Sequence, residues 1–260
     1  MTSVMDVGVS EVSRVALWAL RGLGMAFGVA DRAAPLVSWA EAVEGGALRR
    51  LREISPQIDG PRSDPRRSQV SDATWRFDMS GRSLLELGPP AIDLLTMAAR
   101  TGKVGRVDLL NTLDPIFLSG LARIAARRGI GLVALSTAPQ LSLCGQQVSR
   151  LHAFAGPKGP LFSDDAVGGA PEFDEAVAAW ESEPSPAGSD GARLSLLAYA
   201  PDQQPMSDLV EPARFDAERK FAFAQAHGVK VERRDLEHLY ELEIRTWAPT
   251  SDRSRTQALA

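Results

Sequence analysis

A single cysteine, Cys144, occurs in 260 residues. No disulfide can close within the chain, so the fold needs no oxidising compartment. The short motifs of the commonest chemistries are also missing. No Gly-x-Gly-x-x-Gly follows a strand-like run, which excludes the ordinary dinucleotide fingerprint. No glycine-rich phosphate loop ends in Lys-Ser or Lys-Thr, and no Gly-x-Ser-x-Gly elbow is present. Without Cys-x-x-Cys or His-Glu-x-x-His, no metal is expected. The first residues hold Asp6 and no basic start before an apolar run, which is not a signal-peptide layout. Residues 12–29 are apolar but broken by Ser13, Arg14, Arg21, Gly22 and Gly24, so they fall short of a membrane span of about 20 residues. A cytoplasmic chain without membrane or nucleic-acid partners is the expectation. The net charge of -4 points away from nucleic acid.

What is present suits a folded chain. Apolar residues make up 44% and charged residues 24%, enough for a core in one large domain or two small ones. Arginine outnumbers lysine, a bias common at interfaces. No internal repeat is evident.

Three regions are read from the pattern. Residues 1–48 form an N-terminal helical unit. Ser10 suits the cap of a helix from Glu11, with Val12, Val15, Ala16, Ala19, Leu20 and Leu23 on one face. A second stripe runs Val29, Ala33, Leu36, Ala40 and Val43, with Pro35 near its start or at a kink and Gly45-Gly46 after it. Residues 49–72 read as a solvated linker, with six arginines between Arg49 and Arg67 among Pro56, Gly60, Pro61 and Pro65. An anion-binding surface is the other reading of that cluster. Residues 73–260 read as the α/β core, with an irregular excursion at 156–190.

Within that core, residues 75–79 and 83–87 read as strands around Gly81. A helix then runs over 91–99 and a strand over 104–110. Asp114 is placed to cap the next helix, and 130–135 is a continuous apolar run of the buried-strand kind. Further strands are expected near 141–151, at 193–200 and at 229–231, and further helices at 173–180, 216–227 and from Asp235. The predicted fold is α/β or α+β: a central mixed sheet with covering helices, preceded by the N-terminal helical unit.

Candidate site residues follow from the junctions. Ligands in open α/β sheets gather at strand C-terminal ends. Gly88-Pro89-Pro90 opens a helix there, bringing Asp93, and Asn111 and Asp114 follow the next strand. Asp93 and Asp114 are the candidate acid–base carboxylates. Each has a bland alternative at a helix start, where a negative charge is favoured. Arg21, Asn111, Arg245, Ser254 and Arg255 are the candidates to hold a small carboxylate, since a guanidinium fork suits that group. Cys144 reads as a buried, inert thiol, and His152, His227 and His238 share no common setting.

Three stretches carry a resemblance. They are Ala19-Leu20-Arg21-Gly22-Leu23-Gly24 with Phe27-Gly28-Val29-Ala30, then Leu87-Gly88-Pro89-Pro90-Ala91-Ile92-Asp93, then Arg245-Thr246-Trp247-Ala248-Pro249 with Ser251, Ser254 and Arg255. The chain resembles a bacterial family of about this length that accompanies amino-acid or 2-oxo-acid metabolism. Its opening helix is similar to the N-terminal arm of the malate/lactate dehydrogenase family that lacks the ordinary dinucleotide fold, although the setting of that family's catalytic histidine is not found here. The resemblance implies a small-molecule metabolic protein, as an enzyme on a small amino or 2-oxo acid. A non-catalytic partner or assembly subunit of a metabolic enzyme is the alternative, and a small-acid-binding protein a third. The cofactor stays open, and a homo-oligomer or a partner enzyme is expected.

Overall fold

Apolar residues at three- and four-residue steps define the first long element. After a short strand β1 (Val4–Val7), helix α1 (Val9–Gly22) buries Val12, Val15, Ala16, Ala19 and Leu20 along one face. The computed structural model describes residues 3–59, 65–112, 114–137, 141–156, 159–164, 171–183, 193–200 and 215–247. Helix α1 starts at Val9, not Glu11. Gly8 holds the cap position and no side chain caps it, so Ser10 lies inside the helix. Helix α2 (Phe27–Val43) follows, buried over most of its length, with Pro35 in its interior rather than at its start.

The first and last described elements meet. The last described elements are strand β11 (Val229–Glu232) and helix α8 (Arg233–Ile244). β11 pairs antiparallel with β1, and α8 packs on α1. Gly22 allows that approach, because a Cβ there would lie 2.0 Å from the Leu242 carbonyl oxygen. Glu232, not Asp235, holds the cap position of α8, and Asp235 instead pairs with Arg52 at 2.7 Å.

The arginine-rich stretch expected as a linker begins with a helix. In α3 (Ala47–Asp59), Leu48, Leu51, Ile54 and Ile58 are buried at helical spacing, while the arginines between them face outward. The charges hid a regular apolar stripe. Strand β2 (Arg66–Ser71) follows and is exposed throughout.

The central sheet has seven strands. In chain order the rest are β3 (Thr74–Asp78), β4 (Gly105–Leu110), β5 (Gly131–Ser136), β8 (Arg150–Gly156), β9 (Gly159–Ser163) and β10 (Arg193–Tyr199). A small hairpin, β6 (Leu141–Leu143) with β7 (Gln146–Val148), precedes β8. The sheet order is β2-β3-β4-β10-β5-β8-β9. β3 and β4 are parallel and the other pairs antiparallel, so the sheet is mixed. Helices flank it: α4 (Leu84–Arg100), α5 (Leu118–Arg127), α6 (Pro171–Ser182) and α7 (Ala217–His227). Strand alternation sends Val107, Leu109, Leu194, Leu196, Leu132 and Ala134 into the main core with α4 and α5. Leu197, Tyr199, Val133 and Leu135 face the other way, with Val177 and Trp180 of α6.

Residues 83–87 are not a strand. Ser83 caps α4, its hydroxyl accepting from Leu85 N–H at 3.0 Å. Leu84 and Leu85 are buried as the first residues of a helix, a pattern a short apolar run cannot distinguish from a strand. Gly88, Pro89 and Pro90 therefore lie within α4 and form no strand-end turn. A Cβ at Gly88 would sit 2.5 Å from Leu121 Cδ1, so this glycine serves the close crossing of α4 and α5.

Candidate functional site

The site is built on the turn between α2 and α3. Gly45 and Gly46 both take left-handed backbone, with φ of 82° and 78°. Two successive residues there favour glycine strongly. The turn is held from below by Glu41, whose carboxylate accepts from Gly46 N–H at 3.2 Å and Leu48 N–H at 2.8 Å. Those N–H groups open α3 and have no partner within the helix. Burial pushes the Glu41 carboxyl above its usual range, against the pull of these bonds.

Glu44 and Arg49 flank the two glycines. Glu44 Oε2 accepts from the Ser142 hydroxyl at 2.8 Å and from Gly145 N–H at 2.9 Å, tying the β6–β7 hairpin to the turn. Across from it, Arg50 reaches Glu53 at 3.4 Å. Arg49 is exposed, and among the described residues it makes no hydrogen bond or ion pair. These side chains, with Asp114, Pro115 and Ile116, line a cleft of about 460 Å³. That volume lies within the range of small-ligand pockets.

Asp114 sits at the cleft's base and is fully buried. It does not cap its own turn, Pro115–Phe117. Its Oδ1 accepts from Leu84 N–H at 3.0 Å, and its Oδ2 accepts from the Ser83 hydroxyl. It therefore serves the start of α4, a helix earlier in the chain. Burial raises its pKa to about 6, while the Ser83 and Leu84 bonds and the charge of Arg50 pull the other way. This arrangement does not fit a dinucleotide pyrophosphate at α4. The N–H groups such a group would use are taken by Asp114 and Ser83, and a negative charge is already in place.

The other expected site residues lie elsewhere. Asp93 is on the outer face of α4, in a separate depression with Thr96, Arg100 and Arg128. Arg32 and Arg128 each bond its carboxylate at 2.9 Å. Burial works upward on it, but the two guanidinium groups outweigh that and hold the carboxyl below its usual range. Arg21 pairs with Asp31 at 2.7 Å and lies over the rings of Trp18 and Phe27. Asn111, at φ 58°, donates to Asp78 at 3.0 Å across the parallel strand ends. Arg245 pairs with Asp59 at 2.8 Å. Ser254 and Arg255 lie outside the described residues. Of the expected set, Asp114 alone lines this cleft among the described residues. From the sequence, Arg49 and Arg50 stand only as members of the 49–67 arginine cluster, with an anion-binding surface as its second reading, and Glu44 and Ser142 are not singled out. The signal for the cleft was the Gly45-Gly46 pair, with Arg49 and Arg50 three and four residues after it.

The histidines stand apart from the cleft. His152 Nε2 meets the Tyr199 hydroxyl at 2.5 Å, His227 meets the Phe223 carbonyl at 3.0 Å, and His238 meets Ser55 at 2.9 Å. Among the described residues no group of three or more acidic, histidine or cysteine side chains is arranged to hold a metal. No described helix is long and apolar enough to cross a membrane.

No family model matches the chain, and no curated protein matches it by sequence. Solved structures do match in fold. A malate dehydrogenase from Entamoeba histolytica superposes with a TM-score of 0.64 at 11% identity, covering 95% of this chain and 99% of that one. A putative malate/lactate dehydrogenase from E. coli gives 0.65 at 12% identity, covering 98% and 100%. Sulfolactate dehydrogenase from Methanocaldococcus jannaschii gives 0.60 at 15% identity, covering 92% and 96%. The fold is therefore that of these dehydrogenases, at low identity.

Proposed function

We propose that this protein works in small-acid metabolism and binds a small carboxylate in the cleft beside the Gly45–Gly46 turn. The carrying observation is Arg49, an exposed guanidinium at the cleft with no hydrogen bond or ion pair among the described residues. A planar guanidinium binds a carboxylate through two parallel bonds. The shared fold supports the same reading, since the superposed structures are named as malate, malate/lactate and sulfolactate dehydrogenases.

One observation favours a catalytic reading of the same cleft. Asp114 lines the cleft, and burial pushes its carboxyl up to about 6, toward the range useful for proton exchange. Both its oxygens are engaged at the α4 cap, so it exchanges a proton with a ligand only if Ser83 turns away.

The test is calorimetric titration of the full chain with pyruvate, L-lactate, L-malate, 2-oxoglutarate and the common amino acids. At least one should bind. Arg49→Ala should weaken that binding about tenfold or more, the scale of a charge-assisted pair of about 1.5–3 kcal/mol. Its urea midpoint should not move, because Arg49 supports nothing else among the described residues. Absence of binding by every acid tested overturns the proposal.

A further inference from the structure

We propose that the cleft takes an α-amino acid as its zwitterion, with the ligand's carboxylate on Arg49 and its ammonium on Glu44. This rests on the reading of the cleft as a small-carboxylate site and adds the second charge to it. Glu44 and Arg49 stand on either side of the glycine turn and both line the cleft. They are opposite in charge, and among the described residues neither has an ion-pair partner. Arg50, by contrast, is engaged with Glu53. Lys220 directs its ammonium to the carbonyl oxygens of Val43 and Cys144 and makes no ion pair with Glu44.

The two oxygens of Glu44 differ. Oε2 is satisfied by two neutral donors, Ser142 and Gly145. Oε1 is shut from solvent and accepts no hydrogen bond among the described residues. A carboxylate oxygen in that condition is costly. Turning Oε1 to the cleft takes Oε2 off Ser142 and Gly145, so that rotamer forms only where a ligand N–H or O–H replaces those bonds. The keto oxygen of a 2-oxo acid has no hydrogen to give and sets its lone pairs against the charge. A hydroxyl donates without charge, and an ammonium donates with the matching charge. The order of preference is therefore amino acid, then 2-hydroxy acid, then 2-oxo acid.

Titration calorimetry on the full chain with matched sets tests this. The probes are L-alanine, L-lactate and pyruvate; L-leucine and 4-methyl-2-oxopentanoate; and L-glutamate and 2-oxoglutarate. In any set that binds, the amino acid should bind at least tenfold tighter than its oxo partner. Glu44→Gln should weaken the amino acid and bring that ratio toward one, while Arg49→Ala weakens both members. An oxo acid that binds as tightly as its amino partner overturns the zwitterion and leaves the small-carboxylate reading standing. No binding by any acid overturns both. An unchanged ratio in a folded Glu44→Gln variant, checked by its urea midpoint, overturns the assignment to Glu44. If that variant does not fold, the wild-type ratio decides alone.

Discussion

The Asp114 carboxylate accepts the Ser83 hydroxyl bond at the start of α4, so one buried group joins the floor of the cleft to a helix on the sheet. The same carboxylate takes the Leu84 N–H, a donor that the helix itself leaves unpaired. Cleft and helix start are therefore one polar unit.

This unit predicts a pH dependence. Burial raises the Asp114 pKa to about 6 from an ordinary value of 3.8. The folded chain then holds a proton that the unfolded chain has released, so the group's stabilising contribution is full below about pH 4 and is lost as pH rises through about 6. Asp114→Asn should flatten that part of the profile in urea unfolding between pH 4 and 7. Asp114→Ala should cost about 1–3 kcal/mol, because Leu84 N–H loses its acceptor.

Gly22→Ala should destabilise the packing of α1 against α8. The added methyl meets the Leu242 carbonyl oxygen at 2.0 Å, and backbone cannot turn aside as a side chain does. A loss of about 1–3 kcal/mol, the usual scale of overpacking, should appear in thermal unfolding. An unchanged midpoint would show that α1 and α8 do not pack as described.

A buried charge network on the sheet gives a third prediction. Asp108 accepts two bonds from Arg106, at 2.9 and 3.1 Å, and one from the Ser195 hydroxyl at 2.6 Å. Arg106 reaches on to Glu183, and Arg193 lies over Trp180 of α6. Asp108→Ala leaves cations without their buried partner and should cost about 3–5 kcal/mol. Ser195→Ala removes that neutral donor and the acceptor of the Trp180 indole N–H at 2.7 Å, and should cost about 1–3 kcal/mol. Equal losses for the two variants in denaturant unfolding would contradict this ordering.

Cys144 should be unreactive in the folded chain. Burial pushes its thiol up to about 11, and the charge of Glu44 adds to the shift. The thiolate is the reacting form, so iodoacetamide should alkylate it about a hundredfold more slowly than an unfolded chain at pH 8. Denaturant should restore the ordinary rate. Rapid labelling without denaturant would contradict the burial.

Local chemistry alone determined much of the secondary structure. A continuous apolar run marked β5, residues 193–200 read as the strand that is β10, and Asp216 with Gly228 bracketed α7, where Asp216 accepts from Arg219 N–H and Gly228 has φ 81°. The mixed sheet with covering helices followed from the alternation of such segments. These signals are short-ranged, since a period or a cap needs only its neighbours in sequence. Three things needed the tertiary structure. Residues 83–87 became helix because Asp114, distant in sequence, supplies acceptors at its start. The arginine-rich stretch became α3 because other elements bury Leu48, Leu51 and Ile54. Asp114 lines the cleft with Arg49 because the turn after α2 lies beside the turn after β4, whereas Asp93 is turned to the far side of α4 and tied to Arg32 and Arg128. A carboxylate's partners are set by what approaches it through space, and nothing in the spacing of residues along the chain encodes that approach.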